Sequence, residues 1–163
     1  MSPLKAGNSY WMDSVPPTSY PALQDDVDVD VCIVGGGIAG LLSAFELSEA
    51  GLRVAVLESG HIASSVTGYT TAKLTSQHGA RYHHLTQDQG ADVARSYARA
   101  NQEALQRIRQ IARQLQIDDA VLPRDAYVYG TDPSSVAELR AEAQAAADAG
   151  LPSVIYHRCP GPV

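Results

Sequence analysis

The sequence predicts an α/β chain that opens on a β–α–β unit and continues into the start of an α+β segment. Three observations carry this. Val31-Cys32-Ile33-Val34 is a short, uninterrupted apolar run that ends on three glycines. Ile38, Leu41, Leu42 and Phe45 then recur at helical spacing. Leu52 to Leu57 returns to a β-type pattern and ends on Glu58. Together these fill about thirty residues, the usual length of a βαβ unit.

The first twenty-four residues read as no packed element. Pro16, Pro17 and Pro21 interrupt any period, yet Tyr10, Trp11 and Tyr20 are concentrated there. Aromatic residues are scarce in disordered tails, so an extended arm laid on a larger body stands beside a free terminus as the alternative. Asp25, Asp26, Asp28 and Asp30 follow. They admit a cation site or the solvated approach to a strand, and the second is favoured because charges rarely survive in buried strands. Val31–Val34 fits a parallel strand buried on both faces. Gly51 stands where a helix C-terminus wants positive φ.

After Glu58 the chain turns polar and rich in Ser and Thr as far as His78-Gly79, with no third strand evident. From about Asp88 to Leu115 one long helix is predicted, with a stripe of Val93, Tyr97, Ala104, Leu105, Ile108, Ile111, Ala112 and Leu115. Ala126-Tyr-Val-Tyr129 reads as a strand. Asp132-Pro133 is an N-cap followed by a first-turn proline for an Ala-rich helix to Ala149, closed by Gly150. Ser153-Val-Ile-Tyr156 is strand-like. The resulting division is an arm over 1–26, the βαβ region and its following loop over 27–86, and a helical excursion over 87–163.

Composition narrows the function classes. The 163 residues carry 12 Lys+Arg and 18 Asp+Glu, a net charge of −6, which argues against a general nucleic-acid binder. No run is long and apolar enough for a membrane span. Two cysteines, Cys32 and Cys159, make no disulfide framework, so a reducing, cytoplasmic setting is expected. His83-His84 and His157 with Cys159 fall short of a metal site, and no metal ligand set is assigned. His78 stands alone and is read as structural or exposed rather than catalytic.

Gly35-Gly-Gly37-Ile-Ala-Gly40 fits G-x-G-x-x-G. A lone match would mean little, but this one follows a strand, opens a helix and has an acid at the end of the next strand. Gly35 permits the tight turn, Gly37 lets a pyrophosphate approach the backbone, and Gly40 lets the helix lie close on the strands. The helix N-terminus offers N–H groups and a positive dipole to phosphate. Glu58 is placed to accept hydrogen bonds from the adenosine ribose. An NAD-type half would continue with another helix and a third parallel strand. Here the hydroxyls of Ser64, Ser65, Thr67, Thr70 and Thr71 follow instead, which favours FAD.

On these residues the stretch Val31–Gly79 resembles the N-terminal portion of the D-amino-acid oxidase-like (DAO) family of FAD-dependent oxidoreductases. Ser9-Tyr-Trp11, Thr70-Thr-Ala-Lys-Leu-Thr-Ser-Gln-His78-Gly79 and Asp125-Ala-Tyr-Val-Tyr129 are similar to its bacterial subgroup that often carries a C-terminal Rieske domain. The resemblance implies a Rossmann-like FAD-binding region and oxidation of an amine or amino acid by hydride transfer to flavin. By position, it places Gly35, Gly37 and Gly40 on the pyrophosphate and Glu58 on the adenosine ribose. Ile38, Ala39 and Ser59 would line the adenosine diphosphate, and Ser64, Thr70, Thr71 and Ala72 would follow the ribityl chain. Some relatives bind FAD covalently through a His in this loop; Thr71 and Ala72 stand there instead, implying a non-covalent cofactor.

Family members run much longer, and the resemblance fades near Pro152, so the chain reads as an incomplete N-terminal part with no assignable catalytic residue. A non-catalytic nucleotide-binding or partner-binding fragment is the alternative, with an NAD-dependent enzyme third. Exposed apolar surface, and with it a dimer or a missing complementary segment, is expected where further strands would pack.

Overall fold

The computed structural model describes residues 9–156. Over these residues the chain divides into two compact units, with the boundary between Lys73 and Leu74, inside the 27–86 stretch.

In the first unit, β1 (Val31–Val34) and β2 (Val54–Leu57) pair in parallel, Val31 opposite Val54 and Val34 opposite Leu57. The connection runs through α2 (Ile38–Glu49), which packs on both strands. The helix ends as its sequence requires. Gly51 has φ +85°, and Leu52 N–H bonds to the Leu47 carbonyl while Gly51 N–H bonds to that of Ser48, a Schellman closure. The acidic approach to β1 is held by one cation: the Arg53 guanidinium meets Asp30 at 3.0 Å and Asp28 at 3.6 Å. That contact draws the Asp30 carboxyl below its ordinary pKa.

The expectation that β1 is buried on both faces is not met. Val31 and Ile33 are half-buried against α2, but Cys32 is exposed and Val34 is 86% exposed. A parallel strand is enclosed only when helices cover both faces of its sheet; among the described residues this sheet has two strands, with α2 packed on them.

The arm contains one short helix, α1 (Tyr10–Ser14), capped by the Ser9 hydroxyl on Met12 N–H. It packs on the 3₁₀ turn Val66–Tyr69. The Trp11 indole N–H donates to the Thr70 carbonyl at 2.8 Å.

The second unit is helical: α3 (Tyr82–Gln89), α4 (Ala91–Gln114) and α5 (Ser135–Asp148). Gly90, at φ +91°, separates two helices where one was expected from Asp88. The buried face of α4 keeps Ile111 and Ala112 of the expected stripe and is otherwise different. Ala94, Ala98, Ile111 and Ala112 are buried, whereas Val93 and Leu115 are 39% and 52% exposed. Ala94 and Ala98 let α4 approach Tyr82, which is fully buried, and these join Ala146, Ala149 and Leu151 in the core. The fully buried apolar side chains among the described residues all belong to this unit.

α5 begins later than expected: its N-cap is Ser134, so Pro133 lies in the turn before the helix rather than in its first turn. Asp132 holds that turn instead, its carboxylate accepting from Ser134 N–H at 2.7 Å; the contact lowers its pKa. The segments 126–129 and 153–156 are not strands. A strand needs a ladder partner, and no other strand lies in this unit among the described residues. Tyr129 and Val154 are correspondingly exposed. His157, Cys159 and the rest of the tail lie outside the described residues. No helix among the described residues is long and apolar enough to cross a membrane.

Candidate functional site

The site is built where β1 ends and α2 begins. Gly35 leaves the strand at φ +108°, a conformation that disfavours any side chain, and its N–H still bonds to the Leu57 carbonyl at 2.8 Å. Gly36 is buried. Its N–H donates to Glu58 Oε2 at 2.7 Å, and its carbonyl accepts from Ala63 N–H at 2.9 Å. Gly37 caps α2 in extended backbone. Gly40 lies against the turn so closely that a Cβ there would stand 2.0 Å from the Gly35 oxygen.

These contacts leave a set of backbone donors. Ile38 N–H is taken by Thr67 Oγ1 at 3.0 Å. The amides of Gly37, Ala39 and Gly40 have no protein acceptor among the described residues. They cluster at the positive end of a twelve-residue helix, an arrangement suited to phosphate oxygens.

Glu58 closes the other side. One oxygen takes Gly36 N–H; the other accepts from Gly60 N–H at 2.9 Å and faces the Ser59 hydroxyl at 3.5 Å. The two amides, Gly36 before Gly60, hold its carboxyl below the ordinary glutamate pKa. The side chain is exposed, so each oxygen keeps acceptor capacity beyond its backbone bond. Glu58 thus ties the glycine turn to β2 while remaining a charged acceptor at its rim.

The hydroxyl-rich loop divides into two anchored parts. Ser64 donates to the His61 carbonyl at 2.6 Å, and Ala63 and Thr67 fasten the near part to the glycine turn. Farther on, Thr70 Oγ1 accepts from Ala72 N–H at 3.2 Å, with Ala72 in the left-handed region at φ +54°. Gly68 is pinned: a Cβ there would meet the Ala63 oxygen at 2.5 Å and Met12 Sδ at 2.7 Å.

The structure therefore gathers Gly35, Gly37, Ile38, Ala39, Gly40, Glu58 and Ser59 at one end of the strands. Ser64 and Thr70–Ala72 lie on the loop fastened to that turn. Thr67 is a member that sequence reasoning left among the general hydroxyls. It caps α2 from twenty-nine positions away in the chain, and no local spacing marks a cap supplied at that distance. The donor set fits a dinucleotide: unpaired amides for the pyrophosphate, an exposed carboxylate for ribose hydroxyls, and no side chain at Gly35 or Gly37 to obstruct approach.

Other titratable groups lie elsewhere. His78 is exposed, and its Nδ1 meets the Tyr97 hydroxyl at 2.8 Å within the second unit. His84 stands 4.0 Å from Glu138. Among the described residues no three His, Cys, Asp or Glu side chains are grouped to hold a metal. A groove of about 310 Å³ among α3, α4 and α5 is lined largely by alanines with His83 and Asp148, and it contains none of the residues of the glycine turn.

The family described as DAO, FAD dependent oxidoreductase, matches residues 30–158. YhfW of Bacillus subtilis (strain 168), whose name carries a Rieske 2Fe-2S iron-sulfur designation, is 36% identical over 159 residues, covering 98% of this chain and 31% of that protein. Gamma-glutamylputrescine oxidoreductase of Escherichia coli (strain K12) is 32% identical over 113 residues, covering 69% of this chain and 26% of that protein. The chain spans less than a third of the length of either relative. No solved structure gives a significant match. With a family match over most of its length and a strand–glycine turn–helix–strand–carboxylate arrangement in the matched region, the chain belongs to the DAO family of FAD-dependent oxidoreductases.

Proposed function

We propose that this chain supplies the FAD-binding βαβ part of a flavoenzyme that oxidises an amine or amino acid, and that it holds FAD non-covalently. The observation that carries the reading is the cluster of unpaired amides at Gly37, Ala39 and Gly40 beside the Glu58 carboxylate. In this arrangement Gly35, Gly37 and Gly40 receive the pyrophosphate, Glu58 the adenosine ribose, and Ile38, Ala39 and Ser59 border the adenosine diphosphate. Ser64, Thr70, Thr71 and Ala72 follow the ribityl chain, and neither Thr71 nor Ala72 offers a side chain for covalent attachment. Bound FAD would supply the hydride-accepting chemistry, while the protein contributes position and electrostatics.

The substrate class rests on the family and on the relative whose name specifies gamma-glutamylputrescine. Catalytic groups for that substrate are assigned to none of these residues. The open sheet face at Cys32 and Val34 supports a need for further covering surface, from a second copy or from a complementary segment. A reducing cytoplasmic location is consistent with the free thiol of Cys32.

Titration of the purified chain with FAD tests the reading. Saturable binding, with FAD preferred over NAD, is expected, and a chain that ignores FAD refutes it. Anaerobic addition of D- and L-amino acids and of gamma-glutamylputrescine to the loaded chain then tests turnover. Little or none is expected from this chain by itself, and a robust rate would overturn that expectation.

A further inference from the structure

We infer that Trp11 is a positioning residue for the flavin-side half of the cofactor, acting by turning the Thr70–Thr71 peptide so that the Thr71 amide is presented to a ligand acceptor. The inference rests on the loop's being a cofactor loop and adds to it a residue from outside the glycine motif.

The near part of the loop is fastened to the glycine turn through Ala63 N–H on the Gly36 carbonyl and Thr67 Oγ1 on Ile38 N–H. The far part is fastened to the arm. The Ser9 hydroxyl bonds to the Gly68 carbonyl, Met12 lies against Gly68, and the Trp11 indole N–H takes the Thr70 carbonyl at 2.8 Å. The chain contains no cis peptide among the described residues, and in a trans peptide the carbonyl and the following N–H point in opposite directions. Holding the Thr70 oxygen toward the arm therefore directs Thr71 N–H away from it. That N–H has no protein acceptor among the described residues. Ala72, next along, is held at φ +54° by its bond to Thr70 Oγ1, so the peptide is fixed from both sides. Two anchors thus serve two halves of one ligand: the glycine turn serves the diphosphate, and the arm serves what lies beyond it.

Comparison of FAD with ADP separates this role from a general structural one, because ADP lacks the half that the arm is inferred to serve. Dissociation constants for both are measured by calorimetry on the 163-residue chain and on Trp11→Phe, which keeps an aromatic ring but loses the donor. Trp11→Phe should weaken FAD about three- to tenfold, the range expected for one lost hydrogen bond, and leave ADP within about twofold. The Thr71 amide resonance should shift on FAD addition in wild type and not in Trp11→Phe. Ser9→Ala, which removes the neighbouring anchor, should move FAD affinity in the same direction and guards against misfolding of the first variant. Equal losses for FAD and ADP, or unchanged FAD affinity in both variants, overturn the inference while leaving the cofactor reading intact. A wild-type chain that binds neither ligand overturns that reading, and the inference with it.

Discussion

Replacing Gly40 with alanine sets two opposed effects against each other at the glycine turn. Alanine is better than glycine in a helix interior by about 1 kcal/mol, and Gly40 is the third residue of α2, where the gain is smaller. Against this, the new Cβ would stand 2.0 Å from the Gly35 carbonyl oxygen and 3.3 Å from Ile33 Cγ2. Non-bonded heavy atoms settle at about 3.5 Å, so helix and turn must part by about 1 Å or more. The obstruction is backbone and cannot swing aside as a side chain would. Overpacking of this kind costs about 1–3 kcal/mol, so the steric effect wins, with a net loss of about 1–2 kcal/mol. The same displacement moves the Gly37, Ala39 and Gly40 amides relative to one another. A hydrogen bond to a charged group contributes about 1.5–3 kcal/mol, so losing one weakens FAD by about 10- to 100-fold. Urea unfolding and FAD titration of Gly40→Ala measure both quantities. A variant with the wild-type urea midpoint and the wild-type affinity for FAD would refute the close-packing argument.

Three further outcomes are expected. Glu58→Gln removes one acceptor from the pair that holds Gly36 and Gly60 N–H and should weaken FAD severalfold by titration. Because the folded-state pKa of Glu58 is depressed, its contribution to stability is present above the unfolded glutamate value of about 4.3 and is lost as pH falls through the folded value, so acid unfolding of Glu58→Gln should lack that component. Glu142 is 3% exposed and accepts from Tyr82 N–H at 3.0 Å and His83 N–H at 2.7 Å, joining α5 to the start of α3. Glu142→Ala leaves both donors unmatched and should lower stability by about 2–5 kcal/mol in urea unfolding; a loss under about 1 kcal/mol would contradict the assigned role. Tyr82 donates to the Ser76 carbonyl at 2.7 Å, and burial, with Tyr97 and Glu142 adding, pushes its phenol up to about 12 from 10.0. The raised value means its contribution is complete below pH 10.0 and disappears as pH rises through about 12. In an alkaline titration, Tyr82→Phe should abolish the latest-ionising tyrosine and destabilise the second unit by about 1–2 kcal/mol at neutral pH.

Local patterns reached the structure where neighbours in sequence supply the physics. Val31–Val34 ends at the residue expected, Gly51 and Gly150 close their helices with positive φ, and Asp132 fixes the turn into α5, though not its cap, through a bond two residues on. Glycine spacing works for the same reason, since the turn at Gly35 is a property of the backbone of a few adjacent residues. The expected strands at 126–129 and 153–156 fail on the opposite ground. Their apolar and aromatic content is real, but a strand forms only with a partner ladder, and none is within reach among the described residues. Gly90 was visible in the sequence, yet a stretch as polar as Tyr82–Gln89 shows no stripe to mark the separate helix before it.

By itself, then, the sequence determined the βαβ unit, the glycine turn, the acid at Glu58 and the family to which they belong, because each is encoded by short-range spacing and backbone freedom. Tertiary structure alone decided that Glu58 braces Gly36, that Thr67 caps α2, that Trp11 holds the Thr70 carbonyl and that Glu142 is buried on the start of α3. In each, a hydrogen-bond partner lies twenty-two to fifty-nine residues away along the chain. A donor or acceptor with a distant partner leaves no periodicity in the sequence; only the folded backbone brings the two within 3 Å.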